Sequence, residues 1–204
     1  MTRPLWRGPA PLLLASTSPT RRALLVSAGL AVETRAPEVD ERAVEAASGG
    51  LPPARLAQVL AEAKTAAVAE AAPDRVVVGA DQVLDLDGAV LHKPGGRAAA
   101  QAHLARLQGR THCLHAAVAL ALGGVVVDRF VVTARLTLRP LDDAAIDAYL
   151  DAAGPAVTGS VGAYQLEGVG IHLFDAVEGD HSTILGLPLL PLLARLRGRG
   201  LLAF

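Results

Sequence analysis

A mixed α/β fold follows from three features of this 204-residue chain. Short continuous apolar runs, RVVVGA at 75–80 foremost, have the composition of buried strands. Ala- and Leu-rich stretches of helical length alternate with them, which builds strand–helix–strand units. Asp87-Gly88 and Gly123-Gly124 stand between apolar flanks, as hairpin turns do, so antiparallel pairs join the parallel ones in a mixed sheet.

The elements follow in order. PLLLAS at 11–16 is a short apolar strand. Ser18 is a good N-cap and Pro19 suits the first helical position, so a helix starts there and stops near Gly29. Residues 31–35 form a second strand, and EVDE at 38–41 is an acidic loop. A long helix starts at Pro52 or Pro53 and ends near Ala72, broken by Pro73-Asp74. The strand at 75–80 ends in Gly-Ala, with Asp81 directly after it, and a hairpin through Asp87-Gly88 spans 83–91. Residues 97–108 are helical up to Gly109. The runs 111–122 and 125–138 make a second hairpin. A helix over 141–153 is capped by Asp142 or Asp143. Residues 154–170 are Gly-rich and irregular, 171–177 is a strand, and 182–197 is a closing helix whose start Pro188 and Pro191 disturb. No fixed-period repeat and no Pro/Gly/Ser linker appears, so residues 1–204 read as one domain with a central cleft.

Bulk composition excludes several classes. Hydrophobic residues make up 51% and charged residues 19%, which is globular rather than disordered. The net charge of −1 argues against a nucleic-acid partner held by bulk electrostatics, but leaves room for a small phosphate ligand. Cys113 is the only cysteine, so no intrachain disulfide forms, as suits a reducing compartment. Arg3 and Arg7 precede Leu12-Leu13-Leu14, but that apolar run is too short for a signal peptide, and no run reaches membrane-spanning length; the expectation is a soluble, cytoplasmic protein with no membrane partner.

Four constellations could carry chemistry. Ser16-Thr17-Ser18-Pro19-Thr20-Arg21-Arg22 joins a strand to a helix N-terminus, where backbone N–H groups, hydroxyls and Arg21 suit a phosphate; Ser16 and Ser18 are equal candidates for that contact. Asp81 follows a buried strand, where α/β sheets place their ligands, and suits metal binding or proton abstraction from water. Glu38, Asp40 and Glu41 offer hard oxygens for magnesium, although most such runs are solvated loops. His92-Lys93-Pro94 puts Lys93 in a loop before Gly95-Gly96, and Lys64 lies on the polar side of its helix. Only these two of the 19 basic residues are lysines, which makes them candidates for neutralising a triphosphate. The six histidines lack ligand spacing, so no zinc site is expected, and His112, Cys113 and His115 read as core or surface residues of a strand.

Taken together, LLLASTSPTRRALL (12–25), APEVDE (36–41), AEAKTAA (61–67), VVVGADQVLDLDG (76–88), LHKP (91–94), GAYQLEGVGIHLF (162–174) and EGDHSTILGLPLLPLL (178–193) resemble the Maf-like family, in order and over nearly the whole chain. The resemblance implies an elongated, two-lobed α/β structure with a central mixed sheet, flanking helices and a deep cleft. It implies hydrolysis of nucleoside triphosphates between the α and β phosphates, dependence on Mg²⁺ or Mn²⁺, and, in many members, a homodimer. It also implies roles for residues here: Asp81 as proton acceptor, Arg21, Lys64 and Lys93 on the phosphates, and Glu41 with Asp81 at the metal.

Subgroups of that family differ at three positions, which are Thr20, Gln82 and Glu167 here. Gln82 and Glu167 resemble the subgroup that prefers 7-methyl-GTP, and a carboxylate suits the N–H donors of a cationic guanine. Thr20 departs from it, since an aromatic would stack on such a base, and Gln165 offers another amide reader. The alternatives are a dTTP/UTP pyrophosphatase of the same family and, from another class, a nucleotide-binding regulator of cell division; the catalytic-type carboxylates argue for turnover.

Overall fold

The structure is a computed structural model and describes residues 4–204. Met1, Thr2 and Arg3, where the N-terminal leader question begins, lie outside the described residues. The fold is mixed α/β, with parallel and antiparallel strand pairs. The chain divides into two compact units. Among the described residues no helix is long and apolar enough to cross a membrane.

The first unit holds residues 4–82, Ala116–Val132 and His181–Phe204. Its strands run β2 (Val32–Arg35), β1 (Leu12–Ala15), β3 (from Val77), β5 (to Leu122) and β6 (from Val125). β1 is parallel to both neighbours, with Leu12 opposite Val32 and Leu14 opposite Val78. Such a central strand is covered on both faces, which is why LLLA is apolar without alternation and fully buried. Leu12, Leu14, Val78, Val118 and Leu120 point to one face, against Leu25 of helix α1 (Pro19–Ser27) and Leu192 and Leu196 of helix α7 (Leu189–Gly198). Leu13, Ala15 and Val77 point to the other, against Val68 and Ala69 of helix α3 (Pro53–Glu70). Each buried leucine contributes roughly 2 kcal/mol.

The second unit holds Val83–His115 and Thr133–Asp180. β3 ends there at Leu86 and turns through Asp87-Gly88 into β4 (Ala89–Leu91). Both turn residues have positive φ, 53° and 85°, as a type I′ hairpin requires. The first part of β5 from Thr111, the last part of β6 to Leu138 and the antiparallel β7 (Phe174–Glu178) complete its sheet. Helices α4 (Arg97–Leu107) and α5 (Asp143–Ala153) pack together, and Asp142 caps α5 through the Ala145 N–H.

Four expectations change. Asp81 does not follow a strand end: β3 runs unbroken from Val77 to Leu86 and carries Asp81 in its interior. The acidic loop is shorter than read, because Glu41 starts helix α2 (Glu41–Ala47) and Asp40 caps it through the Ala43 N–H. The closing helix is two helices, α6 (His181–Ile184) and α7, separated by residues 185–188, where Gly186 has φ +88°. Finally, residues 154–173 include two 3₁₀ stretches, Gly154–Gly159 and Val169–Leu173, so the following strand begins at Phe174 rather than Ile171.

Candidate functional site

Close packing of α3 on β3 creates the site in the first unit. A Cβ on Gly79 would lie 2.2 Å from Thr65 Oγ1, so only glycine lets the helix approach this closely. The Thr65 hydroxyl donates to Ala61 O at 2.7 Å within the helix. One residue before Thr65, Lys64 is carried to the strand as well. It was expected on the polar side of α3, but it lies on the buried stripe with Ala61, Thr65 and Val68 and is 7% exposed. The helical repeat of 3.6 residues places 61, 64, 65 and 68 on one face.

Burial there is tolerated because the charge is matched. Lys64 Nζ donates to Asp81 Oδ1 at 2.5 Å and lies 2.7 Å from Glu41 Oε1. Asp81 is as buried as the lysine, at 6%, whereas the Glu41 side chain is 56% exposed. An isolated charge in this position would cost several kcal/mol, and the direct pair offsets that.

Arg21 adds a second cation. Its Nε donates to Gly186 O at 2.9 Å and Nη1 to Ala80 O at 2.8 Å, with Ser16 Oγ at 3.4 Å. Burial lowers its pKa, while the charges of Asp81 and Glu41 oppose the shift and favour the cation. Two backbone carbonyls therefore fix the guanidinium, and Nη2 has no partner among the described residues. Ser16 Oγ also accepts from the Ser18 N–H at 3.1 Å, and Ser18 Oγ accepts from the Arg21 N–H at 3.3 Å as the cap of α1. Both serines thus shape the same helix N-terminus, and Thr20 is half-buried in its first turn.

Gln82 is tied to the chain's last segment. Its Nε2 donates to Thr183 O at 3.1 Å and Ile184 O at 3.0 Å, which commits both amide hydrogens and leaves Oε1 as an acceptor. Thr183, Ile184 and Gly186 were not singled out from sequence, because they take part through main-chain oxygens. Their one visible signal was the glycine before Leu187-Pro188, which supplies the positive φ at 186.

The structure thus brings Ser16, Ser18, Arg21, Glu41, Lys64, Asp81 and Gln82 together in one unit. Lys93 and Glu167 belong to the other. There Lys93 is exposed in the loop after β4, and Glu167 is exposed in a turn at 166–168. Gln165 borders a hollow of about 110 Å³ that Tyr149, Val157 and Gly168 also line. Glu38 and Asp40 take no part in the Lys64 cluster; Asp40 serves as a helix cap.

Two carboxylates from different elements, Glu41 and Asp81, converge on one cation, here the Lys64 ammonium. That donor set fits a magnesium-type ion, which accepts one or two protein carboxylates and completes its shell with phosphate and water oxygens. Among the described residues no cluster of three or more His, Cys, Asp or Glu side chains could hold a metal alone.

Comparison with known proteins shows the family of this chain. The profile of a family described as "Maf-like protein" matches residues 11–199. A nucleoside triphosphate pyrophosphatase of Nitrobacter winogradskyi is 54% identical over 98% of each chain. One of the same name from Rhodopseudomonas palustris is 52% identical over 98% of this chain and 99% of its own. A 7-methyl-GTP pyrophosphatase of Rhizobium meliloti is 51% identical over 93% of this chain and 96% of its own.

Proposed function

The chain belongs to the Maf-like family and is a nucleoside triphosphate pyrophosphatase, and we propose that it hydrolyses 7-methyl-GTP between the α and β phosphates, with Asp81 as the general base. The observation that carries the reading is the meeting of Asp81, Lys64, Glu41 and Arg21, two anions and two cations packed beside a helix N-terminus.

Attack on phosphorus builds negative charge on the phosphate oxygens. Cations already fixed in place stabilise that charge without reorganising. Arg21 is held this way by Gly186 O and Ala80 O, so its remaining N–H groups meet a phosphate in a set orientation. The dipole at the start of α1, whose N-terminus Ser16 and Ser18 cap, favours the same anion. Lys93 supplies a further compact charge. Lys64 spans Asp81 and Glu41 at rest; a phosphate competing for the ammonium frees the Asp81 oxygen to accept a proton from water. Glu41 and Asp81 would hold Mg²⁺ or Mn²⁺, which would neutralise phosphate charge when bound.

Support for 7-methylguanine comes from Glu167, whose carboxylate accepts from the guanine N–H donors, and from the name of the Rhizobium meliloti relative. The test is pyrophosphate release with Mg²⁺ across 7-methyl-GTP, GTP, dTTP, UTP and CTP. A preference for 7-methyl-GTP is expected; a preference for dTTP or UTP would overturn the base assignment and keep the reaction. In Asp81→Asn, turnover should fall by about 10²–10⁴-fold while triphosphate binding persists. A fully active variant would remove Asp81 from the base role.

A further inference from the structure

The second unit holds a buried aromatic cluster that the reaction does not use. His112 of β5 is 1% exposed, and its Nε2 shares a hydrogen bond of 2.5 Å with the Tyr164 hydroxyl. The Tyr164 ring meets Phe174 edge-on, with centroids 4.9 Å apart at 84°, and the His112 and Tyr164 ring centroids are 5.6 Å apart. His112 Nδ1 is buried without a partner, so the ring is held here at a cost. A histidine and a tyrosine buried together only to fill space would be a poor choice beside two phenylalanines.

The backbone around Tyr164 is also over-determined. Ala163 has φ +59° although it is not glycine. Its carbonyl accepts from the Tyr149 hydroxyl at 3.1 Å, and the Tyr164 carbonyl accepts from Ser160 Oγ at 2.5 Å. A Cβ on Gly162 would strike the Tyr164 ring at 2.2 Å, and one on Gly170 would lie 2.4 Å from Gln165 O. Strained backbone of this kind persists only where its surroundings impose it, and it gathers at binding sites. The residues that follow directly, Gln165 and Glu167, are both exposed.

We propose that His112 and Tyr164 are positioning residues for nucleobase selection: their contact locks the 160–170 loop in the form that presents Gln165 and Glu167 to the base. This rests on the reading of Glu167 and Gln165 as base readers. The pair touches no phosphate and no reacting atom in that scheme. It acts by fixing the loop in advance, so that binding the correct base does not have to order it.

The experiment is Tyr164→Phe, which keeps the ring and removes one oxygen, assayed on the preferred nucleotide and on a poor one. KM for the preferred nucleotide should rise about tenfold with kcat within about twofold, so that discrimination shrinks by the same factor. Amide exchange across 160–170 should speed up while the unfolding midpoint of the whole chain moves little. His112→Gln serves as the second variant, and the same split is expected. Equal losses on every nucleotide, or unchanged discrimination in folded protein, would overturn the proposal. Glu167→Ala and Gln165→Ala separate the two assignments. If both leave discrimination intact, the base-reading assignment fails. If they lower it and Tyr164→Phe does not, only the positioning role is lost.

Discussion

Two buried polar clusters, one in each unit, solve the same problem in opposite ways. Lys64 and Asp81 are buried as a pair at 2.5 Å, with the exposed Glu41 carboxylate 2.7 Å from the same ammonium. His112 and Tyr164 stay neutral: burial pushes the histidine pKa down to about 4 and the tyrosine pKa well up. Charges kept in a dry setting are useful where phosphate charge must be met, since they act strongly there. Neutral groups give direction without a field, which suits a contact that holds a loop. The difference teaches that burial alone does not mark a catalytic group; what separates the two sites is whether the buried group is given a charged partner, as Lys64 and Asp81 give each other, or a neutral one, as His112 and Tyr164 do.

The largest effect should come from breaking the charged cluster. Lys64→Met leaves Asp81 buried without its cation and should cost about 3–5 kcal/mol of stability, read in urea unfolding, along with nearly all turnover. Adding Asp81→Asn in the same chain should return much of that stability and none of the activity. Full additivity of the two losses would mean that the pair is not coupled.

The neutral cluster should show itself in pH dependence. The His112 pKa is lower folded, about 4, than its ordinary 6.5. Its contribution to stability is therefore complete above pH 6.5 and is lost as pH falls through about 4, with a total near 3 kcal/mol. In His112→Phe that part of the acid slope should vanish. An unchanged slope would mean that the histidine does not titrate as a buried group.

Gly79→Ala probes the packing on which the charged cluster depends. The added methyl meets Thr65 Oγ1, so a loss of about 1–3 kcal/mol is expected, with a fall in kcat as Lys64 shifts from Asp81. The smallest stability effect belongs to Lys93→Ala. This exposed residue should change unfolding by less than about 0.5 kcal/mol while raising KM for triphosphates. A large loss of stability would show that it is structural after all.

Much of this was legible in the order of residues. Ser18 before Pro19 announced the cap and start of α1, and the structure has both. The apolar run at 11–16 announced a short strand, which the structure has over Leu12–Ala15 and covers on both faces, and Asp87-Gly88 announced its hairpin. Asp81 was legible as unusual and was misplaced in its strand, because a charge after Gly79-Ala80 reads as a strand end unless its partner is known. That partner, Lys64, was assigned to the wrong face of α3 for the matching reason: an Ala-rich helix gives little periodic contrast, and a lysine is placed outward by default.

By itself the sequence determined most of the local elements, the presence of a carboxylate directly after a buried-type run, and the scarcity of lysine that pointed to Lys64 and Lys93. These follow from short-range sterics, capping and composition. Only the tertiary structure decided that Lys64 points inward to Asp81 and Glu41, that Arg21 rests on the carbonyls of Ala80 and Gly186, and that His112 meets Tyr164. Those contacts join residues 17 to 165 positions apart. They depend on how closely backbones approach, as at Gly79, and on which carbonyls remain open to accept, neither of which local sequence encodes.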